Sequence, residues 1–283
     1  MVDVHVGVRR GDDSGTMSNM TGDPRALRAT MYGEADLSRL PVFSGDFINY
    51  GCWDGIDVDR PLTVADRTRS QAQLYRATVD ALPDPAGATV AEIGCGIGVG
   101  TDLVAREYHP AVLVAIDSSA AQLDRARQRG GPPSPRRRLV RGSATALPVR
   151  PGSVDAVYSV EMAQHIDDLP ALGRELSAVL RPGGWAAVTT FFAPAAADDA
   201  ALGTLLPTVS DGIDRIHPVG RMVAALAGAG LTDITAVSIG DRVWPGLDAW
   251  IAGTELRDSW ARNWHTAWRQ GLLDYCLITA IKP

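Results

Sequence analysis

From Pro83 onward the chain alternates short apolar runs with longer stretches of helical period. The apolar runs fall at 88–93, 111–116, 138–141, 154–160, 185–191, 233–239 and 274–281. Runs of strand length separated by amphipathic segments predict strands joined by helices, the arrangement of a doubly wound α/β sheet. Leu180-Arg181-Pro182-Gly183-Gly184 places a proline and two glycines where a helix should stop, just before Trp185 opens a strand. Ahead of Pro83 the pattern is helical. One helix is expected from Pro24 to about Leu40, with Leu27, Met31 and Tyr32 on its apolar side, and a second from Thr63 to Leu82. Between them lies an aromatic loop, Phe43 to Trp53.

Residues 1–23 carry Gly, Asp, Ser and Thr without a sustained apolar period, and read as a flexible tail. The remaining units are an N-terminal helical cap and lid at 24–82, a core at 83–240, a helical cap insertion at 241–270 and a last core strand at 271–283. In the insertion Trp260, Trp264 and Trp268 recur at the spacing of one helix face, alongside Trp244 and Trp250. They pack against the N-terminal helices or a second subunit, or line an apolar substrate; the spacing fits each.

The most specific signal is local. Val90-Ala91-Glu92-Ile93-Gly94-Cys95-Gly96-Ile97-Gly98 runs an apolar strand into a glycine turn, and the next strand closes on Asp117, nineteen residues after Gly98. Such a turn lets backbone approach a ligand closely, and the carboxylate can accept from both hydroxyls of a ribose. The dinucleotide fingerprint fails in both registers, because Val99 and Thr101 stand where its third small residue belongs. The acid, an apolar residue, Gly-Cys-Gly, one residue and Gly together resemble motif I of the class I S-adenosylmethionine-dependent methyltransferases. The resemblance extends over roughly 88–240. It implies a seven-stranded Rossmann-like methyltransferase sheet with an N-terminal helical cap, a helical insertion before the last strand, and an antiparallel seventh strand at 274–282.

It also implies S-adenosyl-L-methionine as cofactor. Glu92, Gly94, Cys95, Gly96 and Gly98 would approach its methionine end, Asp117 its ribose, and Ser143 and Ala144 its adenine, with Ser118 a further cofactor contact. Ser143 departs from the pattern, since the family usually has Asp there; a serine hydroxyl accepts without charge, and weaker affinity is expected.

Tyr158-Ser159-Val160-Glu161-Met162-Ala163-Gln164-His165 follows the fourth strand, where cofactor and acceptor meet in this fold. It resembles the same segment of natural-product methyltransferases, sugar O-methyltransferases among them, in which two adjacent histidines follow a glutamate. Here Gln164 replaces the first, and His165 matches the second. Gln164 cannot remove a proton, whereas Glu161 can stabilise positive charge on an acceptor, and so can aromatic faces. The balance falls slightly on C-methylation of an electron-rich alkene or aromatic carbon in a prenylated or terpenoid product, as in the sterol- and prenyl-type branches. O-methylation of a sugar or polyketide hydroxyl by His165 is the alternative, and a cofactor-bound cyclase that transfers no methyl is a third. Glu161 is also counted among the cofactor contacts, and Tyr32, Phe47, Tyr50 and Trp53 are expected to form a lid.

Composition narrows the partners. At 283 residues and 46% hydrophobic content the chain can bury one α/β core with a helical addition. A net charge of −6 argues against nucleic acid, and leaves a small-molecule substrate. Arg125, Arg127, Arg129, Arg136, Arg137, Arg138, Arg141 and Arg150 crowd one proline-broken stretch, read chiefly as a solvated face. Cys52, Cys95 and Cys276 have no metal spacing and the five histidines are scattered, so no metal is expected. Without a membrane-length apolar run the expected location is the cytoplasm. Homo-oligomerisation through the N-terminal or tryptophan-rich helices is open.

Overall fold

The computed structural model describes residues 23–33, 37, 40–129, 137–196 and 198–283. The expected tail, all but its last residue, and the proline-rich segment 130–136 with Arg136 lie outside the described residues. Strands β1 (Thr89–Ile93), β2 (Val112–Asp117), β3 (Arg137–Arg141), β4 (Val154–Val160) and β5 (Leu180–Phe192) pair in parallel. β7 (Asp274–Ile281) runs antiparallel between β5 and β6 (Thr232–Ser238). The seven-stranded order is β3-β2-β1-β4-β5-β7-β6. The chain winds outward from β1 to β3 and then returns to β4, so the topological switch lies between the carboxyl ends of β1 and β4, where ligands bind in such sheets.

Helices cover both faces because parallel strands bury both sides. On one face α2 (Val64–Val79), α3 (Val99–Glu107) and the C-terminal helices α9 (Trp244–Ala252) and α10 (Asn263–Arg269) close a core around Leu74, Leu113, Phe191, Trp244 and Trp264. On the other, α5 (Leu169–Val179) packs on α8 (Val219–Gly228) over Ile93, Val157, Leu172 and Met222. α4 (Ala120–Arg129) covers β2 and β3, and α1 (Pro24–Gly33) lies against α4. Two short helices, α6 (Asp199–Leu205) and α7 (Pro207–Ser210), follow β5. α2 begins where its sequence dictates: Thr63 Oγ1 accepts from the Asp66 amide while the Asp66 side chain accepts from the Thr63 amide, closing a capping box.

Three expectations change. The described part of α1 covers Pro24–Gly33, and neither Leu37 nor Leu40 is α-helical. Leu180 to Gly184 is not a free turn: α5 stops at Val179 and β5 starts at once, the glycines absorbing a register shift against β4 with Gly183 at φ +77°. Trp264 and Trp268 share α10 and Trp260 lies in the 3-10 turn that runs into it, but Trp244 and Trp250 belong to a separate helix, α9. Only Trp264 of that trio is fully packed, stacked on Trp244 at 5.6 Å between ring centroids. Among the described residues no helix is long and apolar enough to cross a membrane.

Candidate active site

The glycine turn after β1 is held in a conformation only glycine adopts freely: φ is +81°, +52° and +77° at Gly94, Gly96 and Gly98. Gly94 and Cys95 donate their backbone N–H groups to Ile116 O at 2.8 and 3.0 Å, which ties the turn to β2. A Cβ at Gly94 would strike Met162, but one at Gly96 would meet nothing within 4 Å, so the turn opens to free space there. Asp117 faces the same space. Its Oδ2 accepts from Gly96 N at 2.9 Å and its Oδ1 from Ser119 N at 2.8 Å, which leaves a lone pair on each oxygen. Burial pushes its pKa up and these backbone donors pull it back.

Glu92 lies beneath the turn instead of in the open. Its Oε2 accepts from Thr101 Oγ1 at 2.6 Å, joining β1 to the first turn of α3, while its Oε1 has no hydrogen-bond partner and burial raises its pKa to about 7. Tyr75 and Tyr158 face the same carboxylate electrostatically, although the Tyr158 hydroxyl falls short of a hydrogen bond. Cys95 is buried with its thiol pushed far up, so it is a packed side chain and not a nucleophile. Ser143 Oγ is turned to Thr145, accepting from its amide at 3.2 Å; Ser118 and Ser143 are exposed and Ala144 is buried.

At the end of β4, Glu161 takes φ +48°, a left-handed conformation costly for a side-chain-bearing residue. Its Oε1 accepts from Tyr50 N and from the Tyr275 hydroxyl, both at 2.7 Å, and burial raises its pKa to about 7. Gln164 is buried and structurally committed, its nitrogen donating to Glu161 O at 2.8 Å and its oxygen accepting from Thr190 Oγ1 at 2.7 Å. His165 is placed for proton chemistry. Nδ1 lies 3.1 Å from Ile213 O and 3.4 Å from Asp214 Oδ1, and Nε2 lies 2.9 Å from the Tyr32 hydroxyl. Burial lowers its pKa, which the Asp214 carboxylate partly restores.

The aromatic loop is fastened rather than hinged. Arg67, fully buried in α2, donates to the carbonyls of Val42 (2.9 Å), Tyr50 (3.0 Å) and Asn49 (2.5 Å), and its guanidinium lies 5.6 Å from the Trp53 ring centroid. Burial without a bonded carboxylate lowers its pKa to about 9. Phe47 packs on Tyr75 and Trp53 on Gly246, so both belong to the core; Tyr32 and Tyr50 are the two of the four that reach the polar centre. Tyr50 in turn sits among Phe191, Trp244 and Trp264, at 5.2–6.0 Å between centroids. The tryptophans therefore support the site from behind. The arginine stretch is also partly internal: Arg125 donates to Tyr32 O and Gly33 O, and Arg129 and Arg137 pair with Asp46 and Asp102.

Residues 91–188 match a family model described as a methyltransferase domain. A fatty-acid O-methyltransferase of Mycolicibacterium smegmatis is 33% identical over 140 residues, 49% of this chain and 50% of that one, so the chain spans half the length of this relative. The trans-aconitate 2-methyltransferase of Deinococcus radiodurans is 32% identical over 197 residues, covering 62% of this chain and 72% of its own. The chain belongs to the S-adenosylmethionine-dependent methyltransferases. Among solved structures, geranyl diphosphate C-methyltransferase from Streptomyces coelicolor A3(2) superposes with a TM-score of 0.76 at 20% identity, over 94% of this chain and 100% of that one, a likeness of fold.

For this methyltransferase the cofactor fits the residues present: an open turn at Gly96, a carboxylate with two spare lone pairs at Asp117, and the N-terminus of α3 behind them. Among the described residues no group of three or more ligating side chains could hold a metal ion. Sequence reasoning missed Asp214, Thr101, Arg67 and Tyr275. None has a local signal, since each reaches its partner from another element; only the strand pattern of 274–281 could have suggested that Tyr275 points across the sheet.

Proposed function

We propose that this protein methylates a hydroxyl oxygen of a small hydrophobic natural product, with His165, backed by Asp214, receiving the hydroxyl proton. The observation that carries the reading is a neutral imidazole whose Nε2 already bonds a hydroxyl, that of Tyr32, at 2.9 Å, with Asp214 3.4 Å behind Nδ1. When bound, S-adenosylmethionine supplies an activated sulfonium methyl, so the chain has only to place an acceptor atom and take up its proton. General base help of this kind contributes about 10²–10⁴-fold. Burial keeps His165 unprotonated near neutrality and so able to accept; Asp214 then compensates the imidazolium. Cofactor contacts fall to Gly94, Gly96, Gly98 and Asp117, and Glu92 with Thr101 holds the turn in shape.

A second reading is methylation at carbon, and Glu161 favours it. Both bonds to this carboxyl fall on Oε1, which leaves Oε2 free to face a positive charge developing on an acceptor.

Tritiated-methyl S-adenosylmethionine offered with farnesol, decanol and 2-naphthol, and with the methyl ether of each, separates the two. Label entering the free hydroxyls, blocked in the ethers and cut by His165→Gln, is the expected result. Label entering carbon in the ethers, cut by Glu161→Gln and indifferent to His165→Gln, overturns it.

A further inference from the structure

We propose that Tyr32 carries the proton from the acceptor hydroxyl to His165, making the base a phenol–imidazole–carboxylate chain assembled from α1, the turn after β4 and the loop before α8. The inference rests on the hydroxyl-transfer reading above. The direction of each hydrogen bond follows from what its partner can do. Ile213 O, 3.1 Å from Nδ1, only accepts, so Nδ1 carries the proton of the neutral ring. Nε2 then has one lone pair, and both groups on it are donors: the Tyr32 hydroxyl at 2.9 Å and the Gln164 amide nitrogen at 3.3 Å. That amide cannot be turned round, because Glu161 O accepts from its nitrogen and Thr190 Oγ1 donates to its oxygen. An acceptor hydroxyl therefore meets no spare lone pair on His165.

The Tyr32 oxygen, by contrast, bonds only Nε2 among the described residues and keeps its own lone pairs. The ring stands edge-on to the imidazole, 5.2 Å between centroids at 65°. Its place is built. Arg28 donates to Gly212 O and Ile213 O at 3.1 and 3.2 Å, and Arg125 donates to Tyr32 O and Gly33 O at 3.1 and 2.8 Å, so the middle and the C-terminal end of α1 are pinned over the site. Asp214, Asp117, Glu161 and Arg28 are the charged groups facing the Tyr32–His165 pair. Burial and the carboxylates keep the phenol well above its ordinary pKa, so it rests protonated, as a relay must.

In the step, an electron pair of the acceptor oxygen forms the bond to the methyl carbon, and the carbon–sulfur pair returns to sulfur, neutralising the sulfonium. The acceptor proton passes to the Tyr32 oxygen as the Tyr32 proton passes to Nε2. The products are an ether, the thioether cofactor and an imidazolium facing Asp214, with Tyr32 again a phenol.

The test uses full-length protein labelled with ¹⁵N-histidine and loaded with S-adenosylhomocysteine, as wild type and Tyr32→Phe. Losing a donor to the neutral ring should move the His165 Nε2 resonance toward its unbonded position and raise the proton affinity of His165 by about threefold or more. An unchanged resonance and midpoint overturn the proposal. Transfer to 2-naphthol separates the roles: Tyr32→Phe and His165→Asn are each expected to slow it about 100-fold. Tyr32→Phe as fast as wild type with His165→Asn impaired overturns the relay and keeps His165 as a direct base. Both variants at wild-type speed overturn the hydroxyl-transfer reading itself. If the wild type leaves 2-naphthol unmethylated, the resonance pair decides alone.

Discussion

Asp117→Ala removes a carboxylate whose two oxygens each accept one backbone hydrogen bond. Gly96 N and Ser119 N take one position on Oδ2 and one on Oδ1, at 2.9 and 2.8 Å, which leaves one acceptor position per oxygen for the two ribose hydroxyls. Hydrogen bonds to an ionised acceptor contribute roughly 1.5–3 kcal/mol each, so losing two costs about 3–6 kcal/mol. At about 1.4 kcal/mol per tenfold, cofactor affinity should fall roughly 10²–10⁴-fold. Asp117→Asn should not be a mild version. Its amide nitrogen has to face either the Gly96 or the Ser119 N–H, donor against donor, so the turn loses an anchor as well as the ribose losing an acceptor. Calorimetric titration with S-adenosylhomocysteine measures both variants, with circular dichroism confirming that they fold. A loss below about fivefold in the alanine variant, or wild-type affinity in the asparagine variant, would refute the placement of the ribose on Asp117.

Three further outcomes follow from buried groups. Glu92 has its pKa raised to about 7 in the fold from an ordinary 4.5, so the folded state holds its proton more tightly than the unfolded chain. Its stabilising share is therefore complete below pH 4.5 and is lost as pH rises to about 7. Glu92→Gln keeps an acceptor for Thr101 and should stabilise the cofactor-free protein at pH 8 relative to pH 4, by up to about 3 kcal/mol, in urea titrations; a pH-independent difference between variant and wild type would disprove it. Gly100→Ala puts a Cβ 1.9 Å from Cζ of the buried Tyr75, and overpacking of this kind costs about 1–3 kcal/mol or more. A melting temperature within 1 °C or so of wild type would show that the ring can move aside. Asp214→Asn deprives His165 of the carboxylate that raises its pKa, so the ¹⁵N-detected midpoint of His165 should move down, and an upward or absent shift would contradict the pairing.

The sequence alone determined the strands, the glycine turn and the carboxylate that closes β2, because each is written locally. Strands buried on both faces read as short continuous apolar runs, so all seven appear within a few positions of where those runs put them. The turn from Gly94 to Gly98 demands positive φ at three nearby positions, which glycine alone meets cheaply. Ser143 and the tryptophans show the limit, since their identities were plain but their directions were not. Only the tertiary structure decided which groups meet beyond the end of β4. Tyr32 meets His165 across 133 positions, Tyr275 meets Glu161 across 114, and Asp214 comes to Nδ1 from the loop before α8. Contacts of that span leave no period and no spacing in the chain. They arise because the sheet reverses its winding beside β1 and brings the ends of distant elements to one edge, where burial and neighbouring charge then set which groups hold protons.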